Sequence, residues 1–132
     1  MIAVDTNILV RVVTQDDPRQ AARAQGLLED ALRGGETCFL SDPVLCELAW
    51  VLDSCYGASR HEILATVQDL FAKPQFEFED RRVVRRAMTA YEAGKGELSD
   101  YLIGAKAQVR GARSTYTFDR GLRNQEGFTV LS

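Results

Sequence analysis

Ile2-Ala3-Val4-Asp5-Thr6-Asn7 is the stretch on which the fold turns. A brief aliphatic run is how a buried strand of an α/β sheet reads. In open α/β sheets, ligands bind just beyond the carboxyl ends of the strands. Asp5 follows such a run directly and so stands where chemistry is expected. Asp is also a favoured helix N-cap, and the stretch alone leaves both roles open.

Outward from it, strand and helix signals alternate. Residues 2–4 read as the first strand and 7–13 as a short helix. A longer helix starts at Pro18, a good first-turn residue, and stops at Gly34-Gly35. Residues 37–40 form the second strand. Ser41-Asp42-Pro43 is a strong helix start, and that helix runs to about Tyr56, ahead of Gly57. Another spans Ser59 to about Lys73, before Pro74. Phe76-Glu77-Phe78 alternates as a short strand does. Asp80 caps a helix ending near Gly94, and a further helix runs from about Leu98 to Gly111. Residues 114–118 and 128–131 are the last two strands. Alternation of this kind implies a mostly parallel sheet with helices on its faces.

Composition narrows the class. At 132 residues the chain is expected to be one domain, 1–132, long enough for a substantial core. No apolar run approaches the ~20 residues that span a bilayer, so no membrane association is expected. The N-terminus lacks the layout of a signal peptide. A cytoplasmic protein is the expectation. Cys38, Cys46 and Cys55 form no C-x-x-C pair; they read as small apolar core residues of a reducing compartment. The single histidine, His61, excludes within one chain any metal site or acid–base pair built on two histidines. It reads as a surface helix residue. A net charge of −3 argues against general phosphate binding, unless the acids gather around a cation.

Four acids occupy telling positions. Asp119 repeats the logic of Asp5, since it follows the β-rich run Ser114–Phe118 and precedes a short helical segment. Strand ends in a parallel sheet share one edge, which brings two carboxylates toward each other. Glu47 lies in the helix that starts at Ser41. There Val44, Leu45, Leu48, Val51, Leu52 and Cys55 share one face at ~3.6 residues per turn, and Glu47 borders it. A carboxylate in that position is uncommon unless paired or ligating. Asp100 lies in the first turn of the helix from Leu98, where the dipole favours an acid. Gly104 and Ala107 continue its face and are small enough to leave room above it, while Tyr101, Leu102, Ala105 and Val109 form the core side.

Gathered carboxylates repel by ~4 kcal/mol per pair at 4 Å and an effective dielectric of 20. Protonation or a bound cation must offset this. The ligands would all be hard oxygens, which favours Mg²⁺ or Mn²⁺ over zinc or copper. Such ions commonly act on phosphates, and one or two of them could activate water in an in-line displacement.

Asp5-Thr6-Asn7, Ser41 with Glu47 six residues on, Leu98-Ser99-Asp100-Tyr101-Leu102-Ile103 and Thr117-Phe118-Asp119 occur in that order. Together they closely resemble the PIN-domain family, and the chain length is similar to that of VapC-type toxins of bacterial toxin–antitoxin pairs. The resemblance spans nearly the whole chain. It implies a three-layer α/β/α PIN-like fold around a central, mostly parallel sheet of about four to five strands. It implies a metal-dependent endoribonuclease in which Asp5, Glu47, Asp100 and Asp119 hold Mg²⁺ or Mn²⁺. Asn7 and Thr117 match residues that orient those carboxylates, Thr6, between Asp5 and Asn7 in the first motif, is grouped with them as a substrate-contacting or orienting residue, and Ser41 matches a small polar residue before the glutamate helix. Products with a 5′-phosphate and a 3′-hydroxyl are implied. So are a homodimer, an RNA substrate, and a small antitoxin protein that occludes the acidic pocket. Some family members carry a further acid two residues after the Thr-Phe-Asp aspartate. Here that position is Gly121, which favours one firmly bound ion.

Arg81, Arg82, Arg85 and Arg86 share one face of the helix after Asp80, and Val83, Val84, Ala87, Met88 and Tyr91 the other. This is the pattern of a solvated amphipathic face, or of a phosphate-contacting patch. Arg11 and Arg120 each follow a candidate acid and could pair with the carboxylates or meet substrate. Aromatics do not interleave with basic residues, so no base-stacking platform is indicated. Other assignments fit in part. A receiver-like, Mg-binding phosphotransfer domain would need an acidic pair after strand one and a late lysine, which Thr6-Asn7 and Lys73, Lys95 and Lys106 do not supply. An Asp-x-Asp phosphatase would need an acid at Asn7. A non-catalytic binding module would leave the acids as caps and surface charges.

Overall fold

Asp5 caps a helix: its Oδ1 accepts the Thr6 N–H at 2.7 Å, and α1 (Thr6–Thr14) follows. The computed structural model describes all residues, Met1–Ser132. They form two compact units, Met1–Glu79 and Asp80–Ser132.

The first unit contains β1 (Ile2–Ala3), α1, α2 (Pro18–Arg33), β2 (Cys38–Leu40), α3 (Asp42–Tyr56), α4 (Arg60–Ala72) and β3 (Phe76–Phe78). Its sheet has the order β1-β2-β3. Both pairings are parallel, with Ile2 opposite Cys38 and Cys38 opposite Phe76. Parallel neighbours need long crossovers, and here α1–α2 and α3–α4 supply them. β1 is one residue shorter than the aliphatic run suggests. As the edge of this sheet it leaves Ala3 exposed, and Val4, just beyond it, is the buried member of the run.

Side-chain caps set where the helices start. Asp17 accepts from Gln20 N ahead of Pro18, and Ser41 accepts from Val44 N. Ser59 and Glu62 exchange bonds in a full capping box. Gly57, at φ 63°, closes α3 in the left-handed conformation that glycine adopts without strain. Each cap contributes ~1 kcal/mol. Burial is the larger contribution: Leu9, Leu40, Leu45 and Leu48 are fully inaccessible, and each such side chain stabilises by ~1.5–3 kcal/mol.

The second unit contains α5 (Arg81–Ala93), α6 (Leu98–Val109), β4 (Thr115–Thr117), a 3-10 turn (Arg120–Leu122) and β5 (Phe128–Val130). β4 and β5 pair in parallel, Thr115 opposite Phe128. α5 packs on α6; Val83, Val84, Ala87 and Tyr91 of the one helix and Tyr101, Leu102 and Ala105 of the other are buried. The Tyr91 and Tyr101 rings meet edge-on, centroids 6.4 Å apart.

The chain is thus α/β with six α-helices and five strands, all in parallel pairs and consistent with a PIN-like fold. The strands divide three and two between two sheets. Each is only two or three residues long, so each ladder is brief. No helix is long and apolar enough to cross a membrane.

Candidate functional site

Thr6 connects two of the sequence-selected acids. Its backbone N–H donates to Asp5, and its hydroxyl donates to Glu47 Oε1 at 3.3 Å. Thr6 is buried, at 6% exposure, whereas Asp5 and Glu47 are exposed. The two carboxylates are therefore tied from beneath and open above. They line one cleft of about 360 Å³ together with Asn7, near the lower end of small-ligand clefts. The Asp5 cap occupies Oδ1 only, so capping and ligation do not exclude each other. Glu47 borders the buried Val44–Leu48–Leu52 stripe of α3, where helical spacing puts it. Ser41 acts through the backbone: it caps α3 and so fixes the start of the helix that carries Glu47.

The same cleft is walled by Arg11 and Tyr56. Arg11 pairs with Asp16 at 3.1 Å, not with a candidate carboxylate, and donates to Gln20 at 2.6 Å. Asp16 also accepts the Tyr56 hydroxyl at 2.6 Å and the Thr14 hydroxyl at 2.9 Å. The Tyr56 bond above all, then the Thr14 bond, holds the Asp16 carboxyl below the ordinary carboxylate range, and Arg11 adds to this. Partial burial works against the Arg11 charge, but Asp16 and Tyr56 outweigh it and push its pKa up. Sequence reasoning missed this network. Its signal is the doubled Asp16-Asp17 before Pro18: one acid caps α2, and the other is left for Arg11.

Cys55 also lines the cleft and is exposed. It is not the core residue that the α3 stripe suggests, because the stripe ends with the buried Leu52. Cys38 is buried, and burial pushes its thiol pKa up. His61 is exposed on α4, as read.

In the second unit Asp100 is half-buried, and its Oδ2 accepts the Glu97 N–H at 2.9 Å. Asp119 is exposed and caps the 3-10 turn, Oδ1 accepting from Gly121 N at 2.8 Å. Thr117 Oγ1 accepts the Asp119 N–H at 3.0 Å, which orients the aspartate through its backbone. A Cβ at Gly121 would lie 3.1 Å from Asp119 Oδ1, so the glycine accommodates the cap. Gly104 is small for a reason other than the expected one. A Cβ there would come within 2.6 Å of the Phe128 ring. Its smallness admits Phe128 and does not open space above Asp100.

Each unit thus carries two of the four acids: Asp5 and Glu47 in the first, Asp100 and Asp119 in the second. Within either unit, no three His, Cys, Asp or Glu side chains gather closely enough to hold a metal ion.

A family model described as the PIN domain matches residues 2–127. The chain is also similar to a protein named VapC ribonuclease from Aquifex aeolicus (strain VF5), 25% identical over 132 residues, with all of this chain and 96% of that protein aligned.

Proposed function

Because this chain belongs to the PIN-domain family, we propose that it is a metal-dependent endoribonuclease, the toxin component of a type II toxin–antitoxin pair. The observation that carries the reading is the tied pair Asp5 and Glu47, open to one cleft on the Thr6 bridge. The full-length similarity to a VapC ribonuclease supports it. One family match running through both units supports a single functional domain over residues 1–132.

In this reading Asp5, Glu47, Asp100 and Asp119 hold Mg²⁺ or Mn²⁺. The donor set fits: all four offer carboxylate oxygens, which hard divalent cations prefer. Each of the three aspartates spends one oxygen on a backbone N–H and keeps the other. When bound, the ion supplies charge neutralisation and lowers the pKa of water. The chain's own residues do the positioning. Thr6 holds Asp5 and Glu47 in register, Thr117 fixes the backbone of Asp119, and Ser41 anchors the helix of Glu47. Asn7 lines the cleft as a polar neighbour of Asp5. Gly121 offers no further carboxylate, in keeping with one firmly bound ion.

Water attacking phosphorus leaves a 5′-phosphate and a 3′-hydroxyl. The reading includes a homodimer, a small antitoxin that covers the acidic cleft, and action on RNA in the cytoplasm. A receiver-like phosphotransfer domain is disfavoured, since Asp5 is followed by Thr6-Asn7 and not by an acidic pair.

The test is cleavage of end-labelled total RNA by purified protein with Mg²⁺ or Mn²⁺, with chelator, and with Asp5→Asn. Metal-dependent cuts ending in 5′-phosphate and absent from the variant are expected. Cleavage that persists in chelator or in Asp5→Asn would overturn the reading.

A further inference from the structure

Charge divides sharply between the two units. Met1–Glu79 carries six Lys and Arg against thirteen Asp and Glu, a formal −7; Asp80–Ser132 carries ten against six, a formal +4. The modest overall charge hides a basic second unit. Within it lies a groove of about 850 Å³ whose lining includes Arg85, Arg86 and Arg113, with Glu126 as its one acid. All three arginines are exposed.

We propose that this groove binds the phosphate backbone of single-stranded RNA. The inference rests on the nuclease reading only for the identity of the polyanion. Arg82, which meets Asp80 at 2.8 Å, is not among the groove residues. The groove arginines come from two places in the chain, the α5 face and the segment between α6 and β4. Arg113 is steadied by donating to the Tyr116 hydroxyl at 3.1 Å. Guanidinium groups suit phosphate because their planar fork donates two hydrogen bonds at once. Gln108 and Gln125 add neutral hydrogen-bonding groups. The lining holds one aromatic, Tyr101, and it is buried, so bases have no stacking platform. Contacts of this kind position a strand without reading its sequence. An acidic peptide is the weaker fit, because the apolar lining consists of alanines that offer no pocket for a side-chain anchor.

The experiment is fluorescence anisotropy of the full chain with a short, fluorescein-labelled, mixed-sequence single-stranded RNA, in chelator, across a salt series. Chelator separates binding from cutting. Each phosphate contact contributes ~0.7 to the slope of log affinity against log salt for a single strand. The variant R85Q/R86Q/R113Q is expected to flatten the slope by about 2 and to weaken binding at least ~10-fold at low salt. If that variant fails to fold, R113Q alone serves, with a slope change of ~0.7. Unchanged affinity and slope would overturn the proposal. So would poly-glutamate binding through the same arginines while RNA does not bind. Loss of cleavage in Asp5→Asn alongside unchanged RNA binding in the arginine variant would sink the groove and leave the nuclease standing. Arginine-dependent binding by a protein that never cuts RNA would do the reverse.

Discussion

The Thr6 hydroxyl donates to Glu47 Oε1 at 3.3 Å across 41 residues of chain. One buried threonine thereby couples the acid after β1 to the acid on α3. Thr6→Val keeps the shape and removes the bond, which should cost ~1 kcal/mol by urea unfolding. Cleavage should fall several-fold, because Glu47 is no longer held in register with Asp5. Thr6→Ser should retain both properties. A fully active valine variant would show that the bridge does not position Glu47.

Asp16 gives the cleft wall a defined acid sensitivity. Its carboxyl is held low, chiefly by Tyr56. A depressed folded-state pKa means that the Arg11–Asp16–Tyr56 arrangement holds above the ordinary aspartate value of ~3.9 and is lost as pH falls through the lower folded value. Between pH 5 and 8 the wall should not change. Tyr56→Phe should move the Asp16 titration upward toward its ordinary range, read by NMR of the carboxyl carbon. An Asp16 titration unmoved by Tyr56→Phe would contradict this account of the wall.

Gly104 should not tolerate a side chain. Gly104→Ala drives a methyl into Phe128 and should cost about 1–3 kcal/mol by overpacking, seen as a lower urea midpoint. Combining it with Phe128→Leu should recover part of the loss. An alanine variant of wild-type stability would refute the packing explanation.

The capping box on α4 offers a control in which stability and activity separate. Ser59→Ala removes the bond to Glu62 N and should cost ~1 kcal/mol. Its cleavage rate, measured well below the unfolding transition, should match the wild type.

Much of this architecture was legible because local chemistry sets helix starts. Asp17-Pro18, Ser41-Asp42-Pro43, Ser59 and Asp80 all mark real N-termini. Strand ends were less legible. Burial and pairing decide them, so β1 lost Val4 to the core and the last two strands came out shorter than their β-rich runs. The site was legible as a set of acids and partly as a set of supports. Thr117 behind Asp119 could be anticipated from the motif. The role of Thr6 as a bridge could not, because its partner lies 41 residues away. Gly104 and Cys55 were misread for a related reason: helical spacing tells which residues share a face, but not which neighbour that face meets.

In the proposed site all four acids serve one metal ion. Calorimetric titration of Mn²⁺ into the wild-type chain, and into Asp5→Asn, Glu47→Gln, Asp100→Asn and Asp119→Asn, is the decisive test, with Asp53→Asn, at an exposed position of α3, as control. Each of the four is expected to weaken Mn²⁺ binding at least ~10-fold, a loss of ~1.4 kcal/mol, with Asp53→Asn unchanged. Wild-type affinity in Asp100→Asn and Asp119→Asn would contradict the claim, leaving the Asp5–Glu47 pair as the only part of the quartet that binds metal.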